Sequence, residues 1–591
     1  MQTIDDVAAE KNQINDNKIS DLSADKPLKP PLIPKGFANA GVALTAAFLA
    51  ACGGGGESSP TNGSPPAGSS PAGSPPAGSP PPAALPTEKE AQKFTTQAVL
   101  STQPADVALI QEKGFNSWLE TQFAIPQSKS RWQWLVDTGF NVIANQNSQN
   151  GFDQAIWMKL LSSPDELRQR MTLALSQIIV IGIDGLPIQF RQFAAANYWD
   201  ILEDNAFGNY RTLLDRISTS VAMGAYLTFR GNQKADSSGR VPDENYAREL
   251  LQLFTIGLYE LNLDGTLKLV NGKPDETYSQ DDISNLARVF TGWDYANAVN
   301  TTPDRNGVPM ALTASRHSPE AKVFLGKNIP AGTDGVSSMK QALDHIFAHP
   351  NVAPFVSKQL IQRFVSSNPS PAYVQRIAII FNDNGSGIRG DLKTVLRAIL
   401  TDSEATTIST SNTSGKLKEP LLRFLQWAKT FGATTNTTVA ADQWKIGNLS
   451  DSATRLGQSP GRSTSVFNFY RPGYVPPASQ FASLKLTAPE FQITHESSVV
   501  GYLNFMQSTI TSGIADVKPN YAPWLSKTTD TAALVAELNK LLAAGSLSAS
   551  TQSSIATAVA SITNATDADK TKRVQAAIFL VMASPEYLVN V

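Results

Sequence analysis

The stretch from Gly53 to Thr87 constrains the fold most, because almost nothing in it can be buried. Gly53–Gly56 is followed by imperfect repeats: PPAGS at Pro65–Ser69, PAGS at Pro71–Ser74 and PPAGS at Pro75–Ser79. A segment this poor in large apolar side chains cannot offset the entropy of ordering its backbone, so a disordered linker is expected over 52–87. Its prolines favour polyproline II at about 3.1 Å per residue, which lets some thirty residues reach on the order of 90 Å. Everything able to form a core therefore lies after it, from Glu88 to Val591, and the tract serves as a tether.

What precedes the tract reads as an export signal. Phe37–Ala51, FANAGVALTAAFLAA, follows Lys35 and ends in small residues, the length and flanks of a signal peptide rather than a membrane span. It stops at Leu49-Ala50-Ala51-Cys52, which resembles a bacterial lipobox, and Cys52 is the one cysteine in the chain. A thiolate is the nucleophile that can take a diacylglycerol, so lipidation at Cys52 is expected, with 1–51 removed as a signal peptide carrying a long, acidic leader. Gly53 in place of Asp favours the outer membrane, on the periplasmic or the surface face. A single cysteine leaves no internal disulfide. The net charge of −2 gives no basic footprint for nucleic acid.

The remainder reads as mainly α: a multi-helical globular body with one small β-hairpin. Acids at Asp165 and Glu166 open a helix to Ile179, and Asn197–Phe207 and Tyr210–Leu227 continue the pattern. In Glu244–Leu258 the apolar residues Tyr246, Leu250, Leu253 and Phe254 fall at i, i+4, i+7 and i+8, one helical face, with Gly257 placed as the cap. Tyr259–Leu263 and Thr266–Val270 flank Asp264-Gly265, a hairpin signal, and Asn271-Gly272 offers a second turn. Ser279 and Asp282 fit a capping pair, with Tyr278 and Ile283 as a hydrophobic staple. Further helices are expected at Ser338–His349, Val352–Val365, Tyr373–Asn382, Asp391–Leu400, Lys418–Phe431, Thr531–Leu542 and Lys572–Ala583. The Ser/Thr-rich break at Thr406–Gly415 suggests an N-terminal part, 88–405, and a C-terminal part, 406–591, the latter ending in a peripheral, alanine-rich helical insertion.

Several segments carry a family resemblance. Glu244-Asn245-Tyr246-Ala247-Arg248-Glu249-Leu250-Leu251-Gln252-Leu253-Phe254-Thr255-Ile256-Gly257, Tyr278-Ser279-Gln280-Asp281-Asp282-Ile283 and Ala287-Arg288-Val289-Phe290-Thr291-Gly292-Trp293 form its centre. In order around them come Ala91–Phe94, Leu167–Gln177, Met223–Asp236 with its GNQKAD, His317 with Lys322–Gly326, Val466–Pro477 and Ala488–Ile493. Together they resemble the bacterial domain-of-unknown-function family 1800 across nearly all of 88–591. The resemblance implies an exported protein and, by gene setting alone, a partner that is a sulfatase- or phosphatase-like exported protein. It implies no particular chemistry.

The candidate site residues carry two readings each. Asn245, Arg248, Glu249 and Gln252 share the polar face of the Glu244 helix, and Arg248 can pair with Glu244 at i, i+4. With His317 and Asp281 or Asp282 they would form an acid–base or ligand-binding cluster; otherwise they are a structural network and a helix cap. His345 and His349 stand at i, i+4, yet no HExxH or cysteine accompanies them, and neither a metal nor a cofactor is expected. Gly457-Gln458-Ser459-Pro460-Gly461 matches GxSxG formally and is rejected, since Pro460 has no N–H for an oxyanion hole. Asp391 of Arg389-Gly390-Asp391 reads as a helix cap, and Asn262–Gly265 as a turn rather than a calcium loop. The segment Phe467-Asn468-Phe469-Tyr470-Arg471-Pro472-Gly473-Tyr474 suits either a binding surface or core filling, and Trp293 joins it as a candidate contact. Two functions lead, with a purely structural coat or assembly protein as a third reading. One is an envelope lipoprotein that binds a partner protein or an extracellular polymer. The alternative is a hydrolase using Glu244 or Glu249 with His317 and Arg248.

Overall fold

The computed structural model describes residues 84–408 and 413–590. Lipidation at Cys52, the signal segment 1–51 and the linker up to residue 83 lie outside the described residues. The body begins where the tract ends. Thr87 accepts from the Glu90 N–H while the Glu90 carboxylate accepts from the Thr87 N–H, a full capping box that starts the helix Glu88–Ala98. That helix buries Phe94, whose ring stacks on Phe115 at 4.5 Å and meets Trp118 edge-on.

The described residues are mostly helix, with five two-stranded antiparallel ladders among them. The helix Val352–Phe364 lies at the centre. It packs on Pro371–Asn382, Leu392–Thr401, Glu166–Ser176 and the turn at Leu250–Thr255, and it is buried on nearly all sides. A helix covered this widely has to be apolar around most of its circumference. Phe355 and Lys358 are its departures, neither of them fully buried.

Three expected helices differ. Tyr210–Leu227 is two helices, Tyr210–Ser218 and Val221–Tyr226, because Ser220 caps the second by accepting from the Met223 N–H. Asn197–Phe207 is the latter part of a longer helix, Arg191–Asp204. Glu244–Leu258 is not one α-helix either: Asn245–Glu249 is α and Leu250–Thr255 is a π-helix. The Ile256 and Gly257 N–H groups both donate to the Leu251 carbonyl, at 2.9 and 3.0 Å. The wide turn breaks the 3.6-residue register, so Leu253 leaves the buried face while Leu250 and Phe254 stay on it.

The hairpin becomes a short meander. Bridges join Leu261 to Leu267 and Tyr259 to Glu276. Strands Leu269–Val270 and Lys273–Pro274 pair around Asn271 and Gly272, both at positive φ (53° and 77°), as a two-residue hairpin turn requires. The capping box of Ser279 and Asp282 starts Gln280–Ala287 as expected.

The C-terminal helices are not a peripheral insertion. Thr531–Ala543 packs on the first helix and on Pro420–Thr430, and Asp567–Ala583 buries Val574, Ile578 and Val581. The chain then closes back on itself, with Val589–Asn590 pairing antiparallel to Lys416–Leu417. In this stretch Ala549–Ala560 comes nearest to the expected surface helix, burying Ile555 and Val559 alone. Residues on both sides of the Ser/Thr-rich break belong to one compact unit. No helix among the described residues is long and apolar enough to cross a membrane.

Candidate functional site

A groove of about 970 Å³ opens where the π-helix, the meander, the central helix and the loop Val466–Val475 meet, with Gln177, Ile178, Thr487 and Gln492 completing its wall. Each contributes through its local geometry. The π turn pushes Gln252 and Leu253 outward. The central helix presents Phe355, Lys358, Gln359 and Gln362, at i, i+3, i+4 and i+7, as one stripe along the groove. Gly257, at φ +75°, lets the backbone approach the Phe355 ring; a Cβ there would stand 2.7 Å from its edge. The aromatic loop adds Phe467, Arg471 and Tyr474.

The lining is aromatic, amide and cationic. Five glutamines take part: Gln177, Gln252, Gln359, Gln362 and Gln492. Among the described residues, Lys358 and Arg471 are the charged ones that line it, and no carboxylate does. Lys358 makes no hydrogen bond or ion pair among the described residues, and burial lowers its pKa. Its stem lies against the Gly265 turn. The Arg471 guanidinium stacks over the Phe467 ring at 4.6 Å and joins no ion pair. The Gln359 amide nitrogen is buried without a partner, a donor for which folding alone supplies no acceptor.

The residues singled out from sequence divide. Arg471 and Tyr474 reach the groove. Tyr470 does not: it is 1% exposed, its ring under the Arg363 guanidinium at 4.6 Å, and it belongs to the core. Phe469 lines a small separate cavity with Ser459 and Asn468. Trp293 is 5% exposed and paired in a strand with Leu312, so it is no surface contact. Asp282 is consumed by its capping box and by the Leu325 N–H at 2.7 Å. Asn245 and Asp281 are exposed, away from the groove lining.

Among the described residues, His317 makes no hydrogen bond or ion pair with Glu244, Arg248 or Glu249. Glu244 accepts from Gln280 at 2.7 Å and from the Ser284 hydroxyl, and Arg248 bridges Glu244 and Gln280 at 3.2 Å each. This is a network tying one helix start to the next. His317 is held at the far end of that second helix. Its Nδ1–H donates to the Thr291 carbonyl at 2.9 Å. Burial lowers the His317 pKa. Glu249 is the distinctive carboxyl: burial pushes it up to about 7 and its Oε2 has no partner. Tyr226 and Tyr278 are both pushed up to about 12, burial being the main cause and the nearby Glu249 a further one. Tyr278 in turn donates to Gln252 on the groove wall at 3.2 Å.

The other motifs resolve structurally. His345 contacts the Leu325 carbonyl at 2.9 Å and His349 faces Glu260 at 3.4 Å, so the two rings share no centre. Among the described residues no group of three or more His, Cys, Asp or Glu is placed to hold a metal. Ser459 is fully buried in a loop, and Asp391 caps its helix through the Lys393 and Thr394 N–H groups.

Sequence reading missed the helix stripe. Its signal was available: within the helix Val352–Phe364, an aromatic, a cation and two amides recur at i, i+3, i+4 and i+7. Among comparisons with known proteins, the family model described as Protein of unknown function (DUF1800) matches residues 93–589. No curated protein and no solved structure matches the chain.

Proposed function

The chain belongs to the DUF1800 family, and we propose that its body is a binding module for an extended, acidic, hydroxyl-rich polymer such as an acidic polysaccharide. One observation carries the reading: among the described residues, the groove is lined by two cations without ion-pair partners and by no carboxylate. Cations held without counter-charge favour an anionic ligand. Glutamine amides offer a donor and an acceptor each, suited to hydroxyls, and ring faces such as Phe467 and Tyr474 supply apolar contact. In the same proposal, lipid on Cys52 and the tract behind it hold the body away from an envelope membrane, with the groove free to meet polymer.

The hydrolase alternative rests on Glu249, with its raised pKa and unpartnered oxygen. Glycoside hydrolysis usually needs two carboxyl groups flanking the bond, whereas the groove lining has none, so binding is the reading preferred.

The test uses full-length protein and gels containing polygalacturonate or neutral dextran. Retarded migration in polygalacturonate alone is expected, with at least about tenfold weaker binding for K358M/R471M combined, given the usual worth of charged contacts. Equal mobility in both gels, or unchanged retardation of the variant, overturns the proposal. Recovery of one acidic protein from crosslinked envelopes, with no polymer, would replace the polymer by a protein partner.

A further inference from the structure

Glu249 is a buried acid for which folding supplies little. It is 9% exposed, its Oε2 has no hydrogen-bond partner, and it joins no ion pair among the described residues. Its chain neighbour Arg248 is committed to Glu244 at 3.2 Å. Native structures normally pair or hydrogen-bond a buried carboxylate, so a carboxyl in this setting holds its proton above the ordinary range. Burial pushes Glu249 up to about 7, against the opposing charge of Arg248. The titratable groups that face it from other segments are two hydroxyls. Tyr226 ends Val221–Tyr226 and Tyr278 stands just before Gln280–Ala287; both are pushed up to about 12. The helix Gln280–Ala287 packs on Asn245–Glu249 and carries Asp281, which is exposed, and Asp282, which is held in its capping box. Glu276 acts on Tyr278.

The carboxyl stands one turn from the groove. Gln252 and Leu253, three and four residues on, are wall residues, and helical neighbours at that spacing lie about 5–6 Å apart. Tyr278 links the two: it lies close enough to Glu249 to feel its charge and donates to the Gln252 amide oxygen at 3.2 Å. We propose, resting on the reading of the groove as a site for an acidic polymer, that Glu249 is its proton-operated switch. Protonated, Glu249 leaves the field of Lys358 and Arg471 unopposed. Ionised, it sets a negative charge behind the wall, where burial limits screening, and repels the polymer. By linkage, a bound polyanion draws a proton onto Glu249.

The experiment measures retardation of the full chain in polygalacturonate gels between pH 6 and 8, with dextran gels as the mobility reference at each pH. It compares the parent with Glu249→Gln, which keeps the shape and cannot ionise. The parent should bind about three- to tenfold more weakly at pH 8 than at pH 6, as one added charge in partly screened surroundings would give. Glu249→Gln should lose most of that fall. Burial also lowers the Lys358 pKa, so whatever fall the variant keeps is the share of Lys358. Calorimetry with polygalacturonate at pH 7, in two buffers of different ionisation enthalpy, should show greater proton uptake by the parent than by the variant. Parallel pH profiles for the two proteins, or equal proton uptake, overturn the switch while binding itself stands. No retardation of either protein at any pH overturns the binding reading and the switch with it.

Discussion

At the scale of single residues, Glu249 and Lys358 carry the sharpest chemistry, for opposite reasons. Both lie where burial penalises charge, but Lys358 faces a groove and Glu249 stands behind its wall. Glu249 has a folded pKa of about 7 against an ordinary 4.5. Folding therefore favours the protonated form, and the associated stability is fully present below about pH 4.5. It is lost as the pH rises through about 7, amounting to about 3 kcal/mol for a shift of this size. Glu249→Gln keeps the shape and removes the titration. Urea midpoints of the parent should fall relative to the variant between pH 4.5 and 7 and run parallel above it. A constant difference across that range would show that the carboxyl is not buried as described. The sequence marked Glu249 as a candidate through its motif, but its raised pKa comes from burial, against the opposing charge of Arg248, and burial is set by the tertiary fold, so no local pattern announces it.

At the scale of elements, the π-helix decides where the groove is. A regular α-helix over Glu244–Leu258 would keep Leu253 on the buried stripe; the widened turn sends Gln252 and Leu253 to the wall instead. Local signals made most helices legible, since capping residues such as Ser279 and Asp391 act within one turn. The π turn was not legible, because part of what accompanies it is tertiary: the Tyr210 hydroxyl donates to the Phe254 carbonyl at 2.7 Å from 44 residues away, while the local bond from the Thr255 hydroxyl to the Leu250 carbonyl has no signature in the apolar spacing. Gly257 ends this element and touches Phe355, whereas Gly272, also at positive φ, has nothing within 4 Å of a Cβ. Both Gly257→Ala and Gly272→Ala strain the backbone by about 1 kcal/mol. Gly257→Ala adds the collision with Phe355, so its Tm should fall clearly further than that of Gly272→Ala, with weaker polymer retardation. Equal losses for the two would mean that the Phe355 contact is soft and that the groove does not depend on it.

At the scale of the whole molecule, one buried ionic cluster joins segments that are hundreds of residues apart. The Lys416 ammonium reaches the Gln362 and Arg363 carbonyls at 2.8 and 3.0 Å, together with Glu419 and Glu490. Glu419 also accepts from Gln177 at 2.6 Å and Gln458 at 2.7 Å. The central helix, the C-terminal ladder and the loop before the groove thus meet on two carboxylates. The C-terminal helices are part of the core although their alanine-rich composition reads as peripheral: composition reports local packing and says nothing of the strand Val589–Asn590 that closes on Lys416–Leu417, beside this cluster. Despite full burial, Lys416, Arg363 and Arg170 hold the Glu419 carboxyl down at about 2. A depressed carboxylate contributes stability that is present above its unfolded pKa near 4.5 and is lost as the pH falls through about 2. Glu419→Gln leaves the three cations short of a partner, a change that costs about 3–5 kcal/mol in comparable buried sites. The urea midpoint at pH 7 should drop accordingly, and the gap to the parent should narrow steadily from pH 4.5 towards 2 as the parent protonates. If Glu419→Gln matched the parent at pH 7, the cluster would not be what holds the two ends of the body together, and the C-terminal ladder alone would have to close it.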